Sequence, residues 1–180
     1  MARVGFFDLS STSGAAFDAP DGQRPVLATY VGRVLVPGEF GPLFTGFRRW
    51  MIDLIVLHKP THIGVEAPWI PSGNRKPSRF TAPDVMYMLI SLAGIANQVA
   101  DEAGLIFFKA EPSTIRKHFT GRGRWGSRTE AKRAVIRQCH MLGWRVRNDH
   151  EADAAAGWAW KKAELDPGFS YRTTPLFGRA

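Results

Sequence analysis

Asp8, Glu66 and Asp153 are the residues of this chain best placed by type and spacing to do chemistry. Asp8 closes the apolar run Arg3-Val4-Gly5-Phe6-Phe7, and Glu66 closes His62-Ile63-Gly64-Val65. Asp153 lies within Asp149-His150-Glu151-Ala152-Asp153-Ala154-Ala155-Ala156-Gly157, whose small residues let a helix approach another backbone closely. Two acids at strand ends and a third on a late helix can meet at one point. Carboxylates gathered in this way repel one another unless something positive neutralises them. Mg2+, which takes oxygen ligands, is the usual partner. Other readings stay open at each position. Asp8 is followed by Leu9-Ser10-Ser11-Thr12-Ser13-Gly14, so it also suits a phosphate-holding acid-and-hydroxyl loop or an Asx-turn. Glu66 also suits a structural ion pair with an arginine.

A fourth site residue comes from the same late helix. His150 is three residues before Asp153 and Asp149 is four before it, so either shares a helix face with it. Acids at a helix start are also favoured by the helix dipole alone, which is the plain reading of Asp149 and Glu151.

The chain carries 24 Lys+Arg against 16 Asp+Glu, a net charge of +8, and its pI is about 10.1. Such a surface attracts polyanions, and arginine, which outnumbers lysine here, matches phosphate oxygens with a planar fork. Two basic segments follow predicted strands. Arg75, Lys76 and Arg79 follow Glu66, while Arg116, Lys117, Arg122, Arg124 and Arg128 surround a Gly-rich loop over 120–127. Flexible glycine with arginine suits backbone contacts to phosphates. Trp69, Phe80 and Trp125 are placed to stack on bases or, alternatively, to cover core edges.

Positioning these residues needs one core. At 180 residues and 44% apolar content, the chain is expected to form a single domain over 1–165 with a C-terminal tail over 166–180. The apolar N-terminal stretch is too short for a membrane span, and a soluble cytoplasmic protein without a small-molecule cofactor is expected. Cys139 is the sole cysteine, which excludes an internal disulfide and a cysteine zinc site; its helical neighbours predict a buried, inert thiol.

Apolar runs and turn chemistry predict strands over 2–9, 15–18 and 26–36, forming an antiparallel meander. A helix carrying Phe40, Leu43, Phe44, Phe47, Trp50, Met51, Leu54 and Ile55 ends before Pro60. A strand over 61–66, a Pro-rich loop over 67–83 and a helix over 84–103 ended by Gly104 follow. Then come a strand over 105–110, a short helix over 112–119, and helices over 128–142 and 149–165. The expected product is an α/β fold: a mixed five-stranded sheet with helices on both faces. Asp8 would lie at the sheet centre with Glu66 on the neighbouring strand.

Three segments, Gly5-Phe6-Phe7-Asp8-Leu9-Ser10, Ile63-Gly64-Val65-Glu66 and His150-Glu151-Ala152-Asp153-Ala154, together resemble the RuvC-type Holliday-junction resolvases of the RNase H-like superfamily. A fourth, Pro112 to Arg124 with its basic pair and Thr120-Gly121, is similar to that family too, and Arg128-Thr129-Glu130-Ala131-Lys132 opens the next helix as the family's does. The resemblance spans about residues 3–160. It implies that Asp8, Glu66 and Asp153 bind metal, with His150 as the fourth member and Asp149, one position out of register, second in rank. It implies two Mg2+ per site, with Mn2+ able to substitute, hydrolysis of four-way DNA junctions leaving 5′-phosphate nicks, and a homodimer. The helix over 84–103, apolar on more than one side, would form the dimer seam. Competing readings are a nuclease for other branched DNA or RNA–DNA hybrids, and a non-catalytic DNA-binding module of the same fold. An actin-like ATPase, suggested by Asp8 to Gly14, fails because that fold needs two lobes and a second phosphate loop.

Overall fold

The computed structural model describes residues 2–34, 36–68 and 83–169. Its elements are β1 (Val4–Asp8), β2 (Thr12–Asp18), β3 (Pro25–Val31), α1 (Gly41–His58), β4 (His62–Glu66), α2 (Pro83–Glu102), β5 (Ile106–Ala110), α3 (Pro112–Thr120), α4 (Arg128–Met141) and α5 (Asp149–Leu165). The strands form one sheet in the order β3-β2-β1-β4-β5. β1, β2 and β3 pair antiparallel, while β4 lies parallel to β1 and β5 parallel to β4. The predicted mixed five-stranded sheet is what forms, because two tight turns can join only antiparallel strands and two helical crossovers then return the chain in parallel.

The sheet separates two cores. On one face, Phe7, Ile63 and Val65 pack with Leu43, Phe47 and Met51 of α1 and with Leu92, Ala96 and Val99 of α2. On the other, Val4, Phe6 and Ala16 pack with Ile115 and Phe119 of α3, Val135 and Cys139 of α4, and Ala155, Ala156 and Trp158 of α5. Strand side chains alternate between faces. Asp8 therefore shares the face of Val4 and Phe6, the side that α5 covers. The pairs Phe6↔Gly64 and Phe7↔Val65 extend by one residue to set Glu66 level with Asp8. That puts both carboxylates on the α5 side at the C-terminal ends of adjacent parallel strands.

Two boundaries differ from the sequence expectation. β2 begins at Thr12 rather than at 15, because Gly14 pairs with Asp8 and the polar turn shrinks to the residues just before it. β3 ends at Val31 rather than at 36. The chain leaves the sheet at Gly32, whose N–H donates to the Ser11 carbonyl at 2.8 Å and which sits so close to Leu43 that a Cβ would lie 1.8 Å from its Cδ1.

The predicted loop over 67–83 lies outside the described residues from 69 to 82, and so do Arg75, Lys76, Arg79, Trp69 and Phe80. In the segment given to the tail, residues 170–180 also lie outside them, whereas Phe169 is buried edge-on against Trp158. Cys139 is fully buried, and burial pushes its thiol up to about 12, so it is inert at neutral pH. Among the described residues no helix is long and apolar enough to cross a membrane.

Candidate active site

Helix α5 can lie against the sheet because its contact face is nearly side-chain free. Gly157 sits over the Phe6 ring, where an added Cβ would come within 2.2 Å of Phe6 Cε1. At the other end the His150 carbonyl presses on Gly14, where a Cβ would lie 2.0 Å from that oxygen. The helix start is fixed by Asn148, whose side chain accepts from the Glu151 N–H at 2.8 Å. Asn148 also donates to Thr29 Oγ1 on β3 at 3.1 Å. Glu151, fully buried, accepts from Thr29 Oγ1 at 2.8 Å and from the Arg147 N–H at 2.7 Å. These bonds tie the first turn of α5 to the edge of the sheet and aim His150 and Asp153 over the strand ends.

There, Asp8 is 8% exposed, and its Oδ2 lies 2.7 Å from Nδ1 of His150. That contact raises His150 above the ordinary imidazole range, and with the ring protonated the pair is charge-assisted. Ser10 Oγ stands 3.5 Å from the same nitrogen. Glu66 is pushed up to about 8 by burial and then by the Asp8 and Asp153 carboxylates. Asp153 is pushed up to about 7 by burial and then by Asp8. Arg116, whose Nη2 lies 3.7 Å from Glu66 Oε1, and Arg128 pull Glu66 the other way without reversing the shift. Glu66 and Asp153 thus both feel the Asp8 carboxylate, and the local positive charge leaves the two under-compensated.

Asp149 has a different partner. It is ion-paired with Lys132 of α4, a hydrogen bond that holds its carboxyl below the usual range. Lys132 also lowers Asp153. Sequence reasoning missed Lys132 as part of this environment. The available signal was its position four residues after Arg128, on the same stripe of α4.

The donor chemistry fits a hard divalent cation: carboxylate oxygens, partly withdrawn from water, that repel one another. Among the described residues no three acidic, histidine or cysteine side chains converge tightly enough to enclose an ion alone. Mg2+ does not require this, since it keeps several waters and is held by one or two carboxylates plus substrate phosphates.

The remaining basic residues fall in two places. Arg116 and Arg128 act on Glu66 as above, while Lys117, Arg122 and Arg124 are exposed around the loop over 120–127. Trp125 is half-buried; its indole N–H donates to the Arg122 carbonyl at 3.1 Å, and the Arg122 guanidinium lies 5.1 Å from its ring centre.

Sheet order and crossovers make this an α/β fold of the RNase H-like type. Within that class the structure is RuvC-like. RuvC of Thermus thermophilus aligns with a TM-score of 0.65 and 17% identity, over 91% of this chain and 95% of that one. The same protein in complex with a Holliday junction substrate aligns at 0.67 and 18%, over 94% and 98%. The yeast mitochondrial Holliday junction resolvase Ydc2 aligns at 0.55 and 15%, over 95% and 83%. No protein-family model matches the sequence, and no curated protein matches it.

Proposed function

We propose that this protein is a Mg2+-dependent endonuclease that resolves four-way DNA junctions. The observation that carries the reading is the grouping of buried Asp8 with half-buried Glu66 and Asp153 on the α5 side of two parallel strand ends, in a chain of net charge +8. Glu66 and Asp153, whose proton affinity is raised by burial and by the Asp8 carboxylate, cost stability and invite a cation. A RuvC-like fold and a basic surface supply the matching polyanion. When bound, two Mg2+, or Mn2+ in their place, supply an activated water and Lewis-acid stabilisation of a phosphodiester.

The protein's own groups have separable tasks. Asp8, Glu66 and Asp153 would hold the metal ions. His150 keeps the Asp8 carboxylate oriented through Nδ1 and would supply a titratable proton beside it. Arg116 and Arg128 sit beside Glu66, where a phosphate oxygen would replace part of the carboxylate's role as their partner. Lys132 holds Asp149 and contributes positive potential toward Asp153.

The test is nicking of a synthetic four-way junction, compared with a flap, a Y-fork and an RNA–DNA hybrid, in Mg2+, Mn2+ and EDTA. Symmetric, ligatable nicks in the junction that vanish in EDTA are expected. Preferred cutting of the hybrid or the flap would move the substrate to that class. Tight junction binding with no cutting in either metal would make the protein a binding module.

A further inference from the structure

The outer face of α4 carries a feature that the acid cluster does not use. Arg122, Trp125, Glu130, Arg133 and Arg137 line a groove of about 520 Å3. Arg133 and Arg137 are exposed, and neither has a hydrogen bond or ion pair among the described residues. Glu130 is the single acid against three guanidinium groups in this lining. Two like charges four residues apart on a helix repel by about 0.2–0.5 kcal/mol. Packing does not ask for them, since α4 meets the core through Ala131, Ala134, Val135 and Cys139.

Helix geometry places this groove relative to the acids. Arg128 and Lys132 act on Glu66 and Asp153, so their stripe faces the site. Arg133 follows Lys132 by about 100° around the axis, and Arg137 lies on the same stripe about 6 Å further along. Counted from Arg128 they lie about 140° and 180° around the axis, on the outer face of α4, so a duplex arm leaving the site reaches them only by crossing the helix from the Arg128–Lys132 stripe. The loop side of the groove is pre-ordered by the Trp125–Arg122 hydrogen bond and by the guanidinium over the indole.

We propose that Arg122, Arg133 and Arg137, held around Trp125, form a second phosphate-binding track that grips a duplex DNA arm beyond the active site. The inference rests on the nuclease reading for its ligand and adds an arm contact to it. Its chemical class is the phosphodiester backbone, read without regard to base sequence.

The experiment compares the parent protein with Arg133→Gln/Arg137→Gln, both folded by circular dichroism. Binding is titrated over a salt series against two four-way junctions, one with long arms and one with arms shorter than a helical turn. On long arms the double variant should lose about 1.8 from the slope of log K against log salt, about 0.9 per phosphate contact. On short arms the two slopes should converge. An unchanged long-arm slope overturns the track, and so does an equal loss on both junctions, which marks a general loss of charge. Parent protein that shows the expected slopes but cuts nothing in Mg2+ or Mn2+ keeps the track and overturns the nuclease reading. Parent protein that cuts the junction while the long-arm slope is unchanged does the reverse. Parent protein that binds no DNA overturns both.

Discussion

Single carboxylates in this site carry opposite signs for stability and for activity. Glu66 and Asp153 have proton affinities above those of the unfolded chain, at about 8 and about 7 against ordinary values of 4.5 and 3.8. The folded state therefore binds more protons than the unfolded one between roughly pH 4 and pH 8, and stability falls as pH rises through that window. In EDTA, Asp153→Asn should flatten this fall and raise Tm at pH 8 by about 2–4 °C, read by thermal melts. The same change should abolish junction cutting while leaving binding intact, as should Asp8→Asn and Glu66→Gln, because an amide keeps the shape and loses the charge that holds Mg2+. Full cutting by any of the three would remove that residue from the site. His150→Ala should cost more activity than Asp149→Ala, since His150 touches Asp8 whereas Asp149 is held by Lys132. The reverse ranking at saturating Mg2+ would place Asp149 in the chemistry.

Among the elements, α5 decides whether the site exists. It has no room between its first turn and β2, as the contact of Gly14 with the His150 carbonyl shows. Gly14→Ala should push α5 away, cost about 1–3 kcal/mol of stability, and lower cutting more than junction binding. Equal losses of both would mean that the helix shift reaches the DNA surface instead. The elements themselves were legible in the sequence. Apolar runs closed by an acid gave β1 and β4, Pro60 and Gly104 marked helix ends, and the small-residue run gave the face of α5. What sequence could not supply was orientation. Nothing in Asp149-His150 says which of the pair turns to Asp8 until α4 is packed alongside and Lys132 takes the other. Nor could β3 be ended correctly, because Gly32 leaves the sheet for a contact with Leu43 that is remote in sequence. Arg133 and Arg137 were hidden for a related reason: in a chain rich in arginine, only the fold shows which ones line a shared groove.

At the scale of the whole molecule, a junction with a two-fold axis suits a two-fold protein. The 84–103 helix is the expected dimer seam, but its Leu92 is fully buried in its own core, so a charge there would unfold the subunit rather than report on pairing. The outward apolar positions of α2 are Val85, Tyr87 and Ile90, at 43%, 59% and 41% exposure. If the 84–103 helices pair, Ile90→Glu should turn a dimer into a monomer of about 20.0 kDa by light scattering while leaving Tm within about 2 °C, since exposed sites change stability little. A parent protein that is monomeric at micromolar concentration and cuts the junction on both strands would rule the pairing out.

The position of α5 at the end of the described chain has a bearing on how the protein is made. Ribosomes deliver Asp8 and Glu66 early, on strands whose inner face still lacks its cover. Val4, Phe6 and Ala16 wait for Ala155, Ala156 and Trp158 to be synthesised. At about 5–20 residues per second, roughly 4–17 s separate the appearance of Glu66 from that of Asp153. During that interval the nascent chain displays an open apolar sheet face, a surface of the kind chaperones hold, and the candidate site lacks Asp153. The candidate site is therefore completed in one step with the helix that closes this core.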